Sequence, residues 1–173
     1  MEELYGSYLA HHGILGQKWG VRRYQNADGS LTEAGRKRYG KIEKMAVNAA
    51  NYAGLQQYKT NKKAELLEQL GSQYRQKTSE SEAEMKRAKE VKDRKAYKSA
   101  KLDYEISKDT AEHIGKLASK ARKEGEGWVN EYLKYSNTPA TELTKKDIKR
   151  GKKYVKQWLK SPEGKFYQDL QKG

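Results

Sequence analysis

Three histidines, one lysine among glycines and a dense run of cations are the residues whose types could do chemistry. His11 and His12 with His113 offer imidazole for a metal, but adjacent histidines face different directions. No Cys, spaced His pair or HExxH sequence supports them. The bland account is that His12 hydrogen-bonds inside a glycine-rich loop. Gly13, Gly16 and Gly20 around Lys18 have the composition of a phosphate loop, yet the order is not GxxxxGK[ST] and no apolar strand precedes it. No serine, histidine and acid are joined by a nucleophile motif, and the acids are mostly Glu at spacings that suit ion pairs with Lys four residues away. The expectation is a non-enzymatic chain with no cofactor and no metal. An enzyme whose site assembles only in three dimensions is the competing possibility.

Binding chemistry is better represented. Lys18-Trp19-Gly20-Val21-Arg22-Arg23-Tyr24 interleaves cations with rings, which suits phosphate contact plus stacking on an exposed base. The structural alternative packs Trp19 and Tyr24 onto the helix that begins near Thr32 and leaves the arginines solvated. The candidate interaction residues of this end are His12, Lys18, Trp19, Arg22, Arg23, Tyr24, Arg36 and Arg38. At the other end, Thr141 to Gly173 holds 10 basic against 4 acidic residues. There Lys145, Lys146, Lys149, Arg150, Lys152, Lys153 and Lys156 are candidate contacts to nucleic acid without sequence preference. A net charge of +14 attracts nucleic acid, anionic lipid or an acidic protein surface, or it merely keeps helix faces in solution.

These residues must be positioned by helices, because the composition supplies little else. Leu, Ile, Val and Phe make up about 14% of 173 residues, below the roughly 20% at which a charged chain tends to disorder, yet there are 13 Tyr and 3 Trp. Long helices with narrow apolar stripes reconcile the two, so the expected fold is mainly α, a helical hairpin or bundle carrying a small glycine-rich N-terminal loop or hairpin. The expected division is a module over 1–40, a long charged helical region over 41–124 and basic aromatic-containing helices over 125–173. With no Cys there is no disulfide framework, and no apolar run approaches the roughly 18 residues of a membrane span.

Local signals give the order of elements. Met1 to Ala10 reads as a short helix stopped by Gly13, Val21 to Gln25 as an extended segment, and Asn26-Ala27-Asp28-Gly29 as a turn. Ser30 or Thr32 caps a helix whose stripe is Tyr39, Ile42, Ala46, Ala49, Ala53 and Gln56, and Leu66, Leu67, Leu70 and Tyr74 continue it or begin another. Gly71-Ser72 and Thr78 to Glu82 are the expected breaks, with Ser79 and Glu82 at capping-box spacing before a helix from about Glu80 to Lys123. Its expected buried face is Leu102, Ile106, Thr110, Ile114, Leu117 and Ala121. Gly125 and Gly127 should end it, Trp128 to Tyr135 restart a helix, and Pro139 break that one. A helix from Thr141 or Thr144 then carries Ile148, Val155, Trp158 and Leu159, and Ser161-Pro162-Glu163 opens a last one bearing Phe166, Tyr167 and Leu170.

The residues His12-Gly13-Ile14-Leu15-Gly16-Gln17-Lys18-Trp19-Gly20-Val21-Arg22-Arg23-Tyr24-Gln25-Asn26, Asp28-Gly29-Ser30-Leu31-Thr32 and Ala34-Gly35-Arg36-Lys37-Arg38-Tyr39-Gly40 resemble a compact segment of proteins from tailed bacteriophages and prophages of Gram-positive gut bacteria. In that group it looks like a portable module joined to dissimilar chains, commonly ones encoded among capsid and head-assembly genes. The resemblance spans residues 11 to 40 of 173. It implies a viral setting and leaves the helical arm unassigned; the leading expectation is a protein of the virion or of head assembly, found in the particle, the host cytoplasm or both. Its expected partners are phage structural proteins, with DNA as a non-specific ligand on the strength of the basic charge, and oligomerisation open. A phage effector that binds and inhibits a host defence protein fits the same residues.

Overall fold

The computed structural model describes residues 23–170. The expected helix Met1 to Ala10 and the glycine loop from Gly13 to Gly20 lie outside the described residues. Four helices follow in order: α1 (Glu33–Glu90), α2 (Arg94–Asn137), α3 (Lys145–Trp158) and α4 (Pro162–Leu170). They account for 84% of the described residues, which is the mainly α fold the stripes predict. No helix among the described residues is long and apolar enough to cross a membrane.

α1 and α2 are the two arms of one antiparallel hairpin, and at 58 residues α1 is about 87 Å long. Their seam is built from small side chains. On α1 the buried positions include Ala46, Ala53, Ala64, Gly71, Ser81 and Ala88, and on α2 Ala100, Ser107, Ala111, Ile114, Ala118, Ala121 and Gly125. From Ser107 to Gly125 the α2 positions advance in steps of four and three, and those on α1 in sums of such steps, the repeat that keeps one stripe facing a partner helix. Thr78 Oγ1 donates to Ser107 Oγ at 3.0 Å, Ile114 Cγ2 lies 3.4 Å from where a Gly71 Cβ would stand, and Gly125 faces Thr60 and Asn61. Each step down α1 is therefore matched by an equal step up α2.

This seam corrects the expected one. Leu102, Ile106 and Leu117 are 57%, 55% and 40% exposed, and Leu66 and Leu70 are exposed as well. Of the six residues expected on the buried face of α2, Ile114 and Ala121 are buried and Thr110 is half-buried. The large residues stand beside the seam because only small ones let two helices approach this closely. The expected breaks at Gly71-Ser72 and Thr78 to Glu82 do not occur, since α1 runs through both. Glu82 pairs with Lys86 at 3.0 Å instead of capping a helix with Ser79. Gly125 and Gly127 likewise lie inside α2. Glycine inside a helix costs about 1 kcal/mol. At Gly71 and Gly125 the space it leaves receives Ile114 and the Asn61 side chain, so packing offsets that cost.

The real reversal is at Val91-Lys92-Asp93. Lys92 takes φ 57°, and Asp93 Oδ1 accepts from the Lys95 and Ala96 amides at 2.9 and 3.0 Å to cap α2. α2 ends at Asn137 before Pro139, as expected. α4 opens on Ser161, whose Oγ accepts from the Gly164 amide at 3.0 Å. Tyr167 of α4 packs at 6.2 Å from the buried Trp158 ring, whereas Phe166 and Leu170 are exposed.

Candidate nucleic-acid interface

α3 is held to the base of the hairpin by one crowded face. Its N-cap is Thr144, whose Oγ1 accepts from the Asp147 amide at 3.2 Å while Asp147 Oδ2 accepts from the Thr144 amide at 3.2 Å, a complete capping box. Lys134 of α2 reaches Asp147 Oδ1 at 2.5 Å, and Tyr135 donates its hydroxyl proton to the Asp147 carbonyl at 2.8 Å. The Lys134 ammonium, followed by the Thr144 hydroxyl, holds the Asp147 carboxyl down at about 2. One turn on, a side chain at Gly151 would overlap the Met45 sulfur, so glycine is what allows α3 to rest on Met45 and Tyr135.

The apolar support below is Ala46, Ala49, Ala50, Tyr135 and Leu143, with Ile42, Met45, Ile148, Tyr154 and Val155 packed against them. Tyr154 also stacks on Tyr52 at 5.5 Å and lies 5.5 Å from Trp128. Burial pushes the hydroxyls of Tyr135 and Tyr154 up to about 12. These contacts fix which way α3 faces. Asp147, Gly151 and Trp158 are buried, and Lys145, Lys146, Lys149, Lys152, Lys153 and Lys156 are all exposed.

None of those six lysines forms an ion pair among the described residues, and Asp147, the one acid of α3, is buried on the opposite face. The seventh candidate, Arg150, is different. It is spent on Glu131 of α2 at 2.5 Å and belongs to the anchoring of α3. Lys145 to Lys156 spans about 17 Å of helix axis, long enough to meet several successive phosphates of one strand at 3.4 Å each. The lysines repel one another at spacings of three and four, and Lys145 and Lys146 oppose the helix dipole in the first turn, so the face is better satisfied beside an anion.

At the other end, His12, Lys18, Trp19 and Arg22 lie outside the described residues. Arg23, Tyr24, Arg36 and Arg38 lie within them, around a small clamp at the start of α1. Asn26 to Gly29 forms the expected turn, with Gly29 at φ 86° and Asp28 Oδ1 accepting from the Ser30 amide and hydroxyl at 2.9 and 2.7 Å. Gln25 and Leu31 pair across it as an antiparallel bridge. Thr32, of the two cap candidates, caps α1 by accepting from the Gly35 amide at 3.0 Å, and its hydroxyl donates to the Arg23 carbonyl at 2.9 Å. Arg38 and Arg23 lie 4.5 and 5.4 Å from the Tyr24 ring centre, and Tyr39 meets that ring edge-on at 6.4 Å. Arg23 and Arg38 thus brace Tyr24, and Arg36 is exposed.

Within the described residues no hydrogen bond, ion pair or ring contact joins the two candidate groups, although the start of α3 packs on Ile42 and Met45, just after Arg38 in the chain. His113 is exposed on α2, and no group of three or more His, Asp or Glu among the described residues could hold a metal ion. The anchors Glu131, Lys134 and Asp147 escaped sequence reasoning, although Asp147 sits three residues after Thr144, at capping-box spacing. No family model matches the chain, and neither a curated protein nor a solved structure is significantly similar to it.

Proposed function

We propose that this is a non-enzymatic bacteriophage protein associated with the virion or with head assembly, which docks through its N-terminal module and contacts DNA through α3. The phage setting rests on the resemblance of residues 11 to 40 alone. The DNA contact rests on one observation: six exposed lysines on α3 with no ion pair among the described residues, facing away from a firmly anchored helix face. Such a surface reads backbone phosphate and carries no base specificity.

The test is a titration of duplex DNA against the full chain over a range of salt, together with a search for the chain in purified particles. The expected result is binding indifferent to sequence, with a log–log salt slope of about −0.9 for each phosphate neutralised. Absence of binding at low ionic strength removes the DNA role. Absence from particles, with stoichiometric capture of a host defence protein instead, replaces the virion role with the effector one.

A further inference from the structure

A second group of cations surrounds a notch midway along the hairpin. Its walls are Arg75 of α1 and Lys108, Lys116, Lys120 and Lys123 of α2, and its floor is Gly115 and Ser119. Among the described residues one acid lines it, Glu112, and that carboxylate is held by Lys116 at 2.8 Å. The Arg75 guanidinium lies beside Gly71, 3.4 Å from where a side chain there would begin, and so the notch is walled from both helices.

Gly71 and Gly125 are explained by neighbours that use the space they leave, but among the described residues nothing beyond Gly115's own stretch of helix lies within 4 Å of where its Cβ would stand. No packing among the described residues accounts for a residue that weakens the helix at this point. Gly40 and Gly127 are equally open, so the glycine does not carry the argument alone. The cations around it do. Lys108 to Lys123 covers about 22 Å of helix axis, too extended for one small anion and matched to a row of phosphates.

The floor residues Gly115 and Ser119 come just after the seam positions Ile114 and Ala118, whereas Leu117, two steps of seven before the α3 contact Glu131, comes just before Ala118. Lys120, in step with Lys134, closes the notch along its far edge.

We propose that the notch seats a second DNA backbone, so that one chain holds two duplexes, one along α3 and one across Gly115. This rests on the reading of α3 as a DNA-contacting face. A chain of this kind bridges DNA segments instead of coating a single one.

The experiment mixes the full chain with donor-labelled and acceptor-labelled short duplexes and reads energy transfer beside the number of duplexes bound per chain. Wild type should give transfer and two duplexes per chain. Gly115→Leu keeps the net charge and favours helix, so it should abolish transfer and leave one duplex bound, with no fall in melting temperature. Lys108→Gln with Lys123→Gln should do the same and flatten the salt slope by about 1.8. Substituting Lys149, Lys153 and Lys156 by Gln should likewise leave one duplex, held at the notch. A wild-type stoichiometry of one, or transfer that survives Gly115→Leu and the lysine pair, overturns the notch and leaves the α3 reading standing. A wild-type chain that binds no duplex overturns both.

Discussion

Gly35 of α1 lies against the carbonyl of Tyr24, so closely that any side chain at Gly35 would overlap that oxygen. The contact welds the bend at Arg23 and Tyr24 to the first turn of α1, and the Thr32 hydroxyl bond to the Arg23 carbonyl seals it from the other side. Gly35→Ala should therefore displace residues 23–31 and separate Tyr24 from Arg38 while the hairpin stays folded. The check is limited proteolysis after Arg23 beside the thermal melt: faster cleavage with a melt moved little is expected. A Gly35→Ala chain cleaved at the wild-type rate would show that the close approach is dispensable. Thr32→Ala should loosen the same clamp and cost about 1 kcal/mol as a lost cap.

The seam separates residues that sequence alone ranks in the wrong order. Ala118→Leu inserts bulk where two helices touch and should lower stability by roughly 1–3 kcal/mol, whereas Ile106→Ala on the exposed stripe should change it by no more than about 0.5 kcal/mol. Urea unfolding of the two variants is sufficient. A larger loss for Ile106→Ala than for Ala118→Leu contradicts the seam described above.

That inversion marks where the sequence was legible. Three caps could be read because they depend on local chemistry, with Thr32, Thr144 and Ser161 each capping the helix that follows, whereas the capping-box spacing of Ser79 and Glu82 marked no helix start. Helical content was legible from spacing and from the absence of proline between Met1 and Asn137. The seam was not, because a hydrophobicity stripe favours Leu102, Ile106 and Leu117 over Ala, Ser and Gly. What a close helix pair selects is the absence of bulk. For the same reason Gly71 and Gly125 read as breaks while serving as contacts, and the true reversal at Lys92-Asp93 was hidden among ordinary surface residues. On α3 the sequence marked the right cations without distinguishing Arg150, whose partner Glu131 is remote in the chain.

Asp147 gives the fold a defined acid sensitivity. Its carboxyl is held at about 2 in the folded chain, chiefly by the Lys134 ammonium and then by the Thr144 hydroxyl, against about 3.9 when unfolded. A depressed folded value contributes stability that is fully present above about pH 4 and is lost as pH falls toward 2. Asp147→Asn should thus lower stability at neutral pH, and the gap between variant and wild type should narrow across that window. Denaturant melts at a series of pH values test this. A gap that stays constant from pH 5 to about pH 2 would exclude the Lys134 pair as its source.

The last prediction separates two kinds of cation on α3 that differ only in what stands opposite them. Arg150 is 2.5 Å from Glu131 and both are partly buried, so Arg150→Ala leaves a half-buried carboxylate without its partner. It should lower the melting temperature and weaken DNA binding no further than the loss of folded α3 requires. Lys149, Lys153 and Lys156 pair with no acid among the described residues, and replacing all three by Gln also relieves their mutual repulsion. Their melting temperature should hold or rise, while the salt slope for duplex DNA flattens by about 2.7. The decisive measurement is the pair of variants under one protocol, melting temperature beside affinity at two salt concentrations. If the lysine variant binds with the wild-type slope, the face of α3 is only solvated. If Arg150→Ala melts normally, the Glu131 pair does not anchor the helix.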